Sequence, residues 1–277
     1  MKWFITYGDE KFEAAKAKLT KEADATGEFD KIISYGKADL SEELLKTDII
    51  NIPRGGGLWS WKPDVLWKTL QLAEENDIIV YCDSGCSLQK SNEWNTFWEL
   101  LEKYDLIAQR LRKRTDKWTR KEVLDYFISN GEHWGKCYQY LATVVIIVNN
   151  KFTRSFVNEW RDLILKHPEF VMDVTQEERI YQHKCLKENR HDQTIYSALI
   201  YKYRNNKDTK SHIFTQWEHI EDYDIFSRQA IRATRLRFGE KESNKILVKR
   251  IVKRLVKDYI TKPFYYIPLQ QIFGKNL

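Results

Sequence analysis

Three short stretches of this chain combine charge, glycine and polar side chains in ways that suit work on a phosphorylated ligand. The first is Arg54-Gly55-Gly56-Gly57-Leu58-Trp59-Ser60-Trp61-Lys62-Pro63, a triple glycine flanked by cations that runs into a helix start. Glycines let a backbone approach a pyrophosphate closely, a helix N-terminus adds partial positive charge, and Arg54 and Lys62 add full charges. The spacing is that of neither a P-loop nor a dinucleotide fingerprint, and a flexible glycine loop packed by tryptophans accounts for it equally well. The second stretch is Asp83-Ser84-Gly85, where an acid directly follows the apolar run of residues 78–82. At the carboxyl end of a strand, Asp83 suits a divalent cation that bridges phosphate oxygens, although a lone Asp there also serves as a turn former. The third is Asn189-Arg190-His191-Asp192-Gln193, polar residues concentrated where a helix begins. Asp192 and Gln193 suit contact with a reacting hydroxyl or the carbon it attacks, with His191 adjusting charge or touching phosphate. A helix cap with a solvated first turn is the alternative.

Alternating strand and helix patterns must position these stretches. Residues 3–8 read as a strand ending at Gly8, followed by an amphipathic helix over residues 10–25. Residues 30–35 give a second strand, Ser41 caps a short helix with Glu42 and Glu43 in its first turn, and Pro63 opens a helix running to about residue 76. Residues 78–82 form a third strand. Farther on, residues 106–112 are expected as an edge strand, 121–130 as a helix, 142–148 as a β-branched buried strand, and 153–167 and 193–203 as helices. Strand then helix implies a mostly parallel sheet covered on both faces, whose ligands bind outside the carboxyl ends of the strands. Gly8, Gly36 and Asp83 fall at those ends.

With 277 residues, 42% of them hydrophobic, the chain can bury one substantial core. Cys82, Cys86, Cys137 and Cys185 have neither CxxC nor zinc-ligand spacing and read as reduced thiols. No apolar run approaches the roughly 20 residues that span a bilayer, and Met1-Lys2-Trp3-Phe4 reads into a strand, not a signal peptide, so a cytoplasmic location is expected. Charge is divided unevenly. From Arg228 onward there are thirteen Lys or Arg against Glu240, Glu242 and Asp258, whereas the remainder carries 33 basic and 37 acidic residues. Over residues 244–260 an apolar stripe that includes Ile251, Leu255 and Tyr259 faces a cationic remainder, with Phe264, Tyr265 and Tyr266 beyond it. That pattern suits a helix lying on anionic lipid, and a helix docked on the body or on a second subunit is the alternative. Nucleic acid would attract the same charge, yet the body is acidic and carries no base-reading motif.

Taken together, Thr6-Tyr7-Gly8, the block from Arg54 to Pro63, Tyr81-Cys82-Asp83-Ser84-Gly85 and His191-Asp192-Gln193 resemble bacterial capsule and surface-polysaccharide glycosyltransferases of the GT-A type. The resemblance covers about residues 3–205, and the glycine-tryptophan-lysine-proline block is its most specific part. It implies a GT-A-like α/β fold, a mostly parallel sheet flanked by helices, over residues 1–226, with a basic amphipathic helical extension over residues 227–277. The implied activity is transfer of a sugar from a nucleoside-diphosphate-sugar donor to a hydroxyl of a glycan or lipid-linked acceptor, peripheral at the inner face of the plasma membrane. The implied donor site is Thr6, Tyr7, Gly8, Arg54, Gly55, Gly56, Trp61, Lys62, Asp83, Ser84 and Gly85, and the catalytic region is Asp192, Gln193 and His191. A divalent metal, Mn or Mg, is implied as cofactor, with Asp83 matching the first acid of an Asp-x-Asp motif and His212 or His219 as a late ligand. Gly85 stands where the second acid of that motif would be. A sugar-phosphate transferase with a similar nucleotide site, and a non-catalytic membrane or nucleic-acid binding protein of the same fold, are the alternatives.

Overall fold

Successive side chains of a strand point to opposite faces, so a strand that is apolar at every position must be covered on both. The computed structural model describes residues 1–129, 137–220, 229–233 and 252. Its strands are β1 (Lys2–Tyr7), β2 (Lys31–Tyr35), β3 (Ile78–Cys82), β4 (Ser87–Leu88), β5 (Leu106–Arg114), β6 (Tyr138–Tyr140), β7 (Val144–Val148), β8 (Ile213–Trp217) and β9 (Ile231–Arg232). Trp3, Ile5 and Tyr7 of β1, Ile79 and Tyr81 of β3, and Val145 and Ile147 of β7 enter one apolar layer. Phe4, Val80, Cys82, Ile146 and Val148, the alternate positions, enter the other. The helices Trp61–Leu72, Lys151–Lys166 and Asp192–Asn205 cover the first layer, and Glu13–Thr26 and Glu93–Leu101 cover the second.

The chain is thus an α/β protein built on a central sheet of order β2-β1-β3-β7-β5-β6, with β8 also pairing β5. β2 and β3 run parallel to β1 on either side, β7 is antiparallel to β3, and β5, antiparallel to β7, resumes the first direction. β8 is parallel to β5 and β6 is antiparallel to it, so five of the seven strands share one direction. The expected edge strand at residues 106–112 is therefore interior. β8 pairs along one side of β5 from Leu106 to Arg110, while β7 and then β6 pair along the other, and Leu106, Ile107 and Ala108 are buried accordingly.

Local signals end the elements as their chemistry requires. Ser41 Oγ accepts from Leu44 N at the start of Glu42–Leu45, and Asn150 and Thr153 cap the helix Lys151–Lys166 reciprocally. Past residue 226, where the extension was expected to begin, β9 pairs antiparallel with β4, and Ala230 and Ile231 are buried in the second apolar layer. The stripe over residues 244–260 and the aromatics at 264–266 lie outside the described residues, Val252 apart. No helix among the described residues is long and apolar enough to cross a membrane.

Candidate functional site

A cleft of about 460 Å³ opens outside the carboxyl ends of β1 and β3, where the direction of an open α/β sheet predicts a ligand. The two strands deliver Tyr7-Gly8-Asp9 and Asp83-Ser84-Gly85-Cys86 to it, and the antiparallel β7 contributes Ala142 and Thr143 from its start. Arg54, Gly55, Gly56, Trp59, Trp61 and Lys62 line it together with Arg190 to Gln193. Of the residues singled out in the sequence, Thr6 and His212 are not brought there. Thr6 is buried beneath, its hydroxyl donating to Cys82 O at 2.8 Å and tying β1 to β3. His212 precedes β8 at the opposite end of the sheet, where it contacts Asp105 and stacks on Phe152 at 4.6 Å. His219 is held by Glu93 instead.

The glycine block forms a left-handed turn at the edge of this cleft. Gly55, Gly56, Gly57, Leu58 and Trp59 all have positive φ, at 61°, 57°, 99°, 55° and 58°, so the segment Gly55–Leu58 is one turn wound in the left-handed sense. A Cβ at Gly55 would meet the Trp59 ring at 2.5 Å, and one at Gly57 would meet Ile50 Cα at 2.9 Å. The amides of Gly56, Gly57, Leu58 and Trp59 donate to Pro53, Ile52, Arg54 and Gly55 carbonyls. These backbone donors are used by carbonyls in and just before the turn. The turn sets Trp61 flat on Tyr7, with centroids 4.0 Å apart at 23°, and its indole N–H donates to Gly55 O. Burial, then the nearby Asp9 and Asp39, push the Tyr7 hydroxyl up to about 12.

At the base of the cleft Lys62 joins the two acids. Its Nζ lies 2.8 Å from Asp192 Oδ2 and 3.2 Å from Asp83 Oδ1, and the Tyr81 hydroxyl donates to Asp83 Oδ1 at 2.5 Å. Lys62 is 2% exposed and Asp192 4%. Burial pushes the Asp192 carboxyl up to about 6 against the opposing pull of Lys62, while Asp83 adds to the rise. Burial alone would lower the Lys62 ammonium, but the two carboxylates outweigh it and raise it, so it stays charged. Asp192 Oδ2 has no directed hydrogen bond, so charge more than geometry holds that pair. Asp192 opens the helix Asp192–Asn205, whose N-terminal dipole favours its ionised form. No side-chain cap bond forms at the preceding residue.

His191 occupies φ 52° and ψ −126°, a strained conformation for a residue with a Cβ. Its Nδ1 lies 2.7 Å from Val171 O, and since a carbonyl only accepts, Nδ1 carries the proton. Nε2 is then a buried acceptor with no hydrogen-bond partner, 3.8 Å from Asp173 Oδ1. Burial lowers the imidazole, keeping it neutral, against the raising pull of the Val171 carbonyl and Asp173. Trp59 lies against this ring, centroids 5.3 Å apart. Gln193 donates to Gln139 Oε1 at 2.7 Å, and Arg54 is held by both oxygens of Asp173 at 2.8 and 3.0 Å. Asp9 joins the site unforeseen, and Trp59, Tyr81 and Arg190 come to it with the stretches that hold them. Asp9 carries a readable signal, an acid just past a strand end, as Asp83 does.

The donor set does not fit the implied divalent metal. Mg or Mn needs about six oxygen ligands, yet Gly85 supplies no side chain and Lys62 sits on both acids. Both carboxylates already face the Lys62 ammonium, which an ion binding them would have to displace. Among the described residues no group of three or more His, Cys, Asp or Glu is placed to share a metal ion.

No protein-family model matches the chain, and no curated protein does. Among solved structures, it is similar to the galactosyltransferase LgtC in complex with donor and acceptor sugar analogs, at 14% identity over 81% of this chain and 90% of that one, with a TM-score of 0.36. It is similar to mouse xyloside xylosyltransferase 1 at 9% identity over 78% and 85%, with a TM-score of 0.40. The bifunctional IspDF of Campylobacter jejuni matches at 13% over 79% and 50%, with a TM-score of 0.38. At such scores these likenesses bear on neither activity nor substrate.

Proposed function

We propose that the chain is a GT-A-type glycosyltransferase that moves a sugar from a nucleoside-diphosphate donor to a hydroxyl of a glycan or lipid-linked acceptor in surface-polysaccharide synthesis. The observation that carries this reading is the convergence of Tyr7-Gly8, Asp83-Ser84-Gly85, Lys62 and Asp192 on one cleft at the carboxyl ends of β1 and β3. In this reading the end of β1 receives the nucleoside and Lys62 with Asp83 faces the diphosphate. Trp59, His191 and Asp192 surround the reacting sugar, with Trp59 offering an aromatic face for it. The bond from the anomeric carbon to the diphosphate oxygen breaks with its electron pair on the diphosphate, and the acceptor oxygen bonds to that carbon. The acceptor proton passes to a base, for which ionised Asp192 is the candidate. The basic extension, by its charge and its apolar stripe, would hold the protein at an anionic membrane.

A thermal-shift panel of nucleoside-diphosphate sugars tests the reading, because a ligand that binds only the native state raises its melting temperature. The expected result is a selective rise with one sugar nucleotide and a smaller one with the matching diphosphate. A flat response across the uridine, guanosine, cytidine and thymidine series would overturn it.

A further inference from the structure

A departing diphosphate needs positive charge beside it, and the cleft already holds one such charge in a fixed place. Lys62 is nearly inaccessible to solvent, with Asp192 and Asp83 at 2.8 and 3.2 Å and the rings of Trp61 and Tyr81 at 5.8 and 5.6 Å from its Nζ. Held by these groups, the ammonium stays at the base of the cleft it lines. An ammonium carries three protons. Its charge is shared between the two carboxylates as ion pairs, and an acceptor in the cleft that Lys62 lines would meet that same charge.

We propose that Lys62 takes the part of a divalent cation here, so that the diphosphate of the donor is bound and its leaving charge neutralised without a metal. This rests on the nucleotide-sugar reading above. A protein that used a metal at this point would present Asp83 and Asp192 to the ion, whereas both are occupied by an ammonium that would repel it. Asp83 in this arrangement is a positioning residue. Tied to the Tyr81 hydroxyl at 2.5 Å, it orients the ammonium instead of ligating an ion. The aliphatic stem of Lys62 lies in the helix Trp61–Leu72, one residue from the Trp61 that stacks on Tyr7, so the same helix end places both the charge and the aromatic floor.

Titration of the full chain with Mn²⁺ alone, followed by the loss of the free-ion electron paramagnetic resonance signal, reads the ion without any nucleotide. The wild type is expected to leave millimolar Mn²⁺ free, and Lys62→Met to take it up, because two carboxylates then lack a counter-charge. Uptake by the wild type that Asp83→Asn abolishes would overturn the proposal. Calorimetry with UDP and GDP, each in EDTA and in Mn²⁺, gives the second reading. The wild type should bind its diphosphate with the same affinity in both buffers. Lys62→Met should lose about tenfold or more in EDTA and regain part of it with Mn²⁺, while Lys62→Arg should retain metal-free binding. Dependence of wild-type binding on Mn²⁺ would again overturn it. Should Lys62→Met fail to fold, the wild-type measurements decide. Absence of any nucleotide binding in either buffer would remove the glycosyltransferase reading instead, and the Mn²⁺ titration would still decide whether Lys62 excludes the ion.

Discussion

In the glycosyltransferase reading, Asp192 is the residue at which stability and function pull apart. Its carboxyl ordinarily ionises near 3.8 but is pushed up to about 6 in the fold. Between those values the native state holds more protons than the unfolded one, so this group's contribution to stability falls as pH rises through that window and stays low above it. Asp192→Asn should therefore leave the protein as stable at pH 8 or more so, by at most about 3 kcal/mol, while turnover falls by about a hundredfold or more and donor affinity barely changes. Urea unfolding, calorimetry and a transfer assay check the three parts. A variant that loses stability and donor binding together would mean that Asp192 only starts a helix. In the same reading the wild-type rate has an ascending limb near pH 6, since ionised Asp192 is the active form. Thr6→Val and His212→Gln make the contrast. Each should cost about 1 kcal/mol through a lost hydrogen bond and leave donor binding unchanged. The Lys62–Asp83–Asp192 cluster could not be foreseen as a unit, because the three residues are far apart in the chain and nothing local names a partner. His212 was misplaced for a related reason, as its type says nothing about which end of the sheet it occupies.

Elements were readable where the pattern is local. The continuous apolar runs at β1, β3 and β7, the Ser41 helix start and the acid after β3 all follow from neighbours in sequence. The antiparallel entry of β7 and the interior place of β5 depend on pairings between distant segments, such as Leu106 with Ile213, that no window shows. The left-handed turn at Gly55–Leu58 is intermediate. Three glycines announce freedom, but Leu58 and Trp59 take positive φ only because the surrounding packing holds them there. Gly57→Ala should destabilise the fold by about 1–3 kcal/mol, since its Cβ would strike the Ile50 backbone, and should weaken donor binding by tilting Trp61. Gly56→Ala, whose Cβ would come no closer than 3.4 Å to Asp9 Oδ2, should bear mainly the cost of its positive φ. Equal effects of the two on unfolding midpoints would mean that contact with Ile50 is unimportant.

At the scale of the molecule, β9 makes the body end later than the charge pattern suggests. A chain stopped at residue 226 loses Ala230 and Ile231 from the second apolar layer and the β4 pairing, at a cost of about 2–4 kcal/mol. One stopped at residue 243 should keep its melting temperature and donor binding, and should no longer sediment with anionic vesicles at low salt. A full-length protein that never sediments would remove the membrane reading. β9 also bears on synthesis. Ser87 pairs with Arg232, and Ala233 lines the cleft, so one side of the site is made from chain that leaves the ribosome about 145 residues after the strand it clasps. A nascent chain has the sheet's first three strands long before β9 and Ala233 arrive to complete the lining of the cleft.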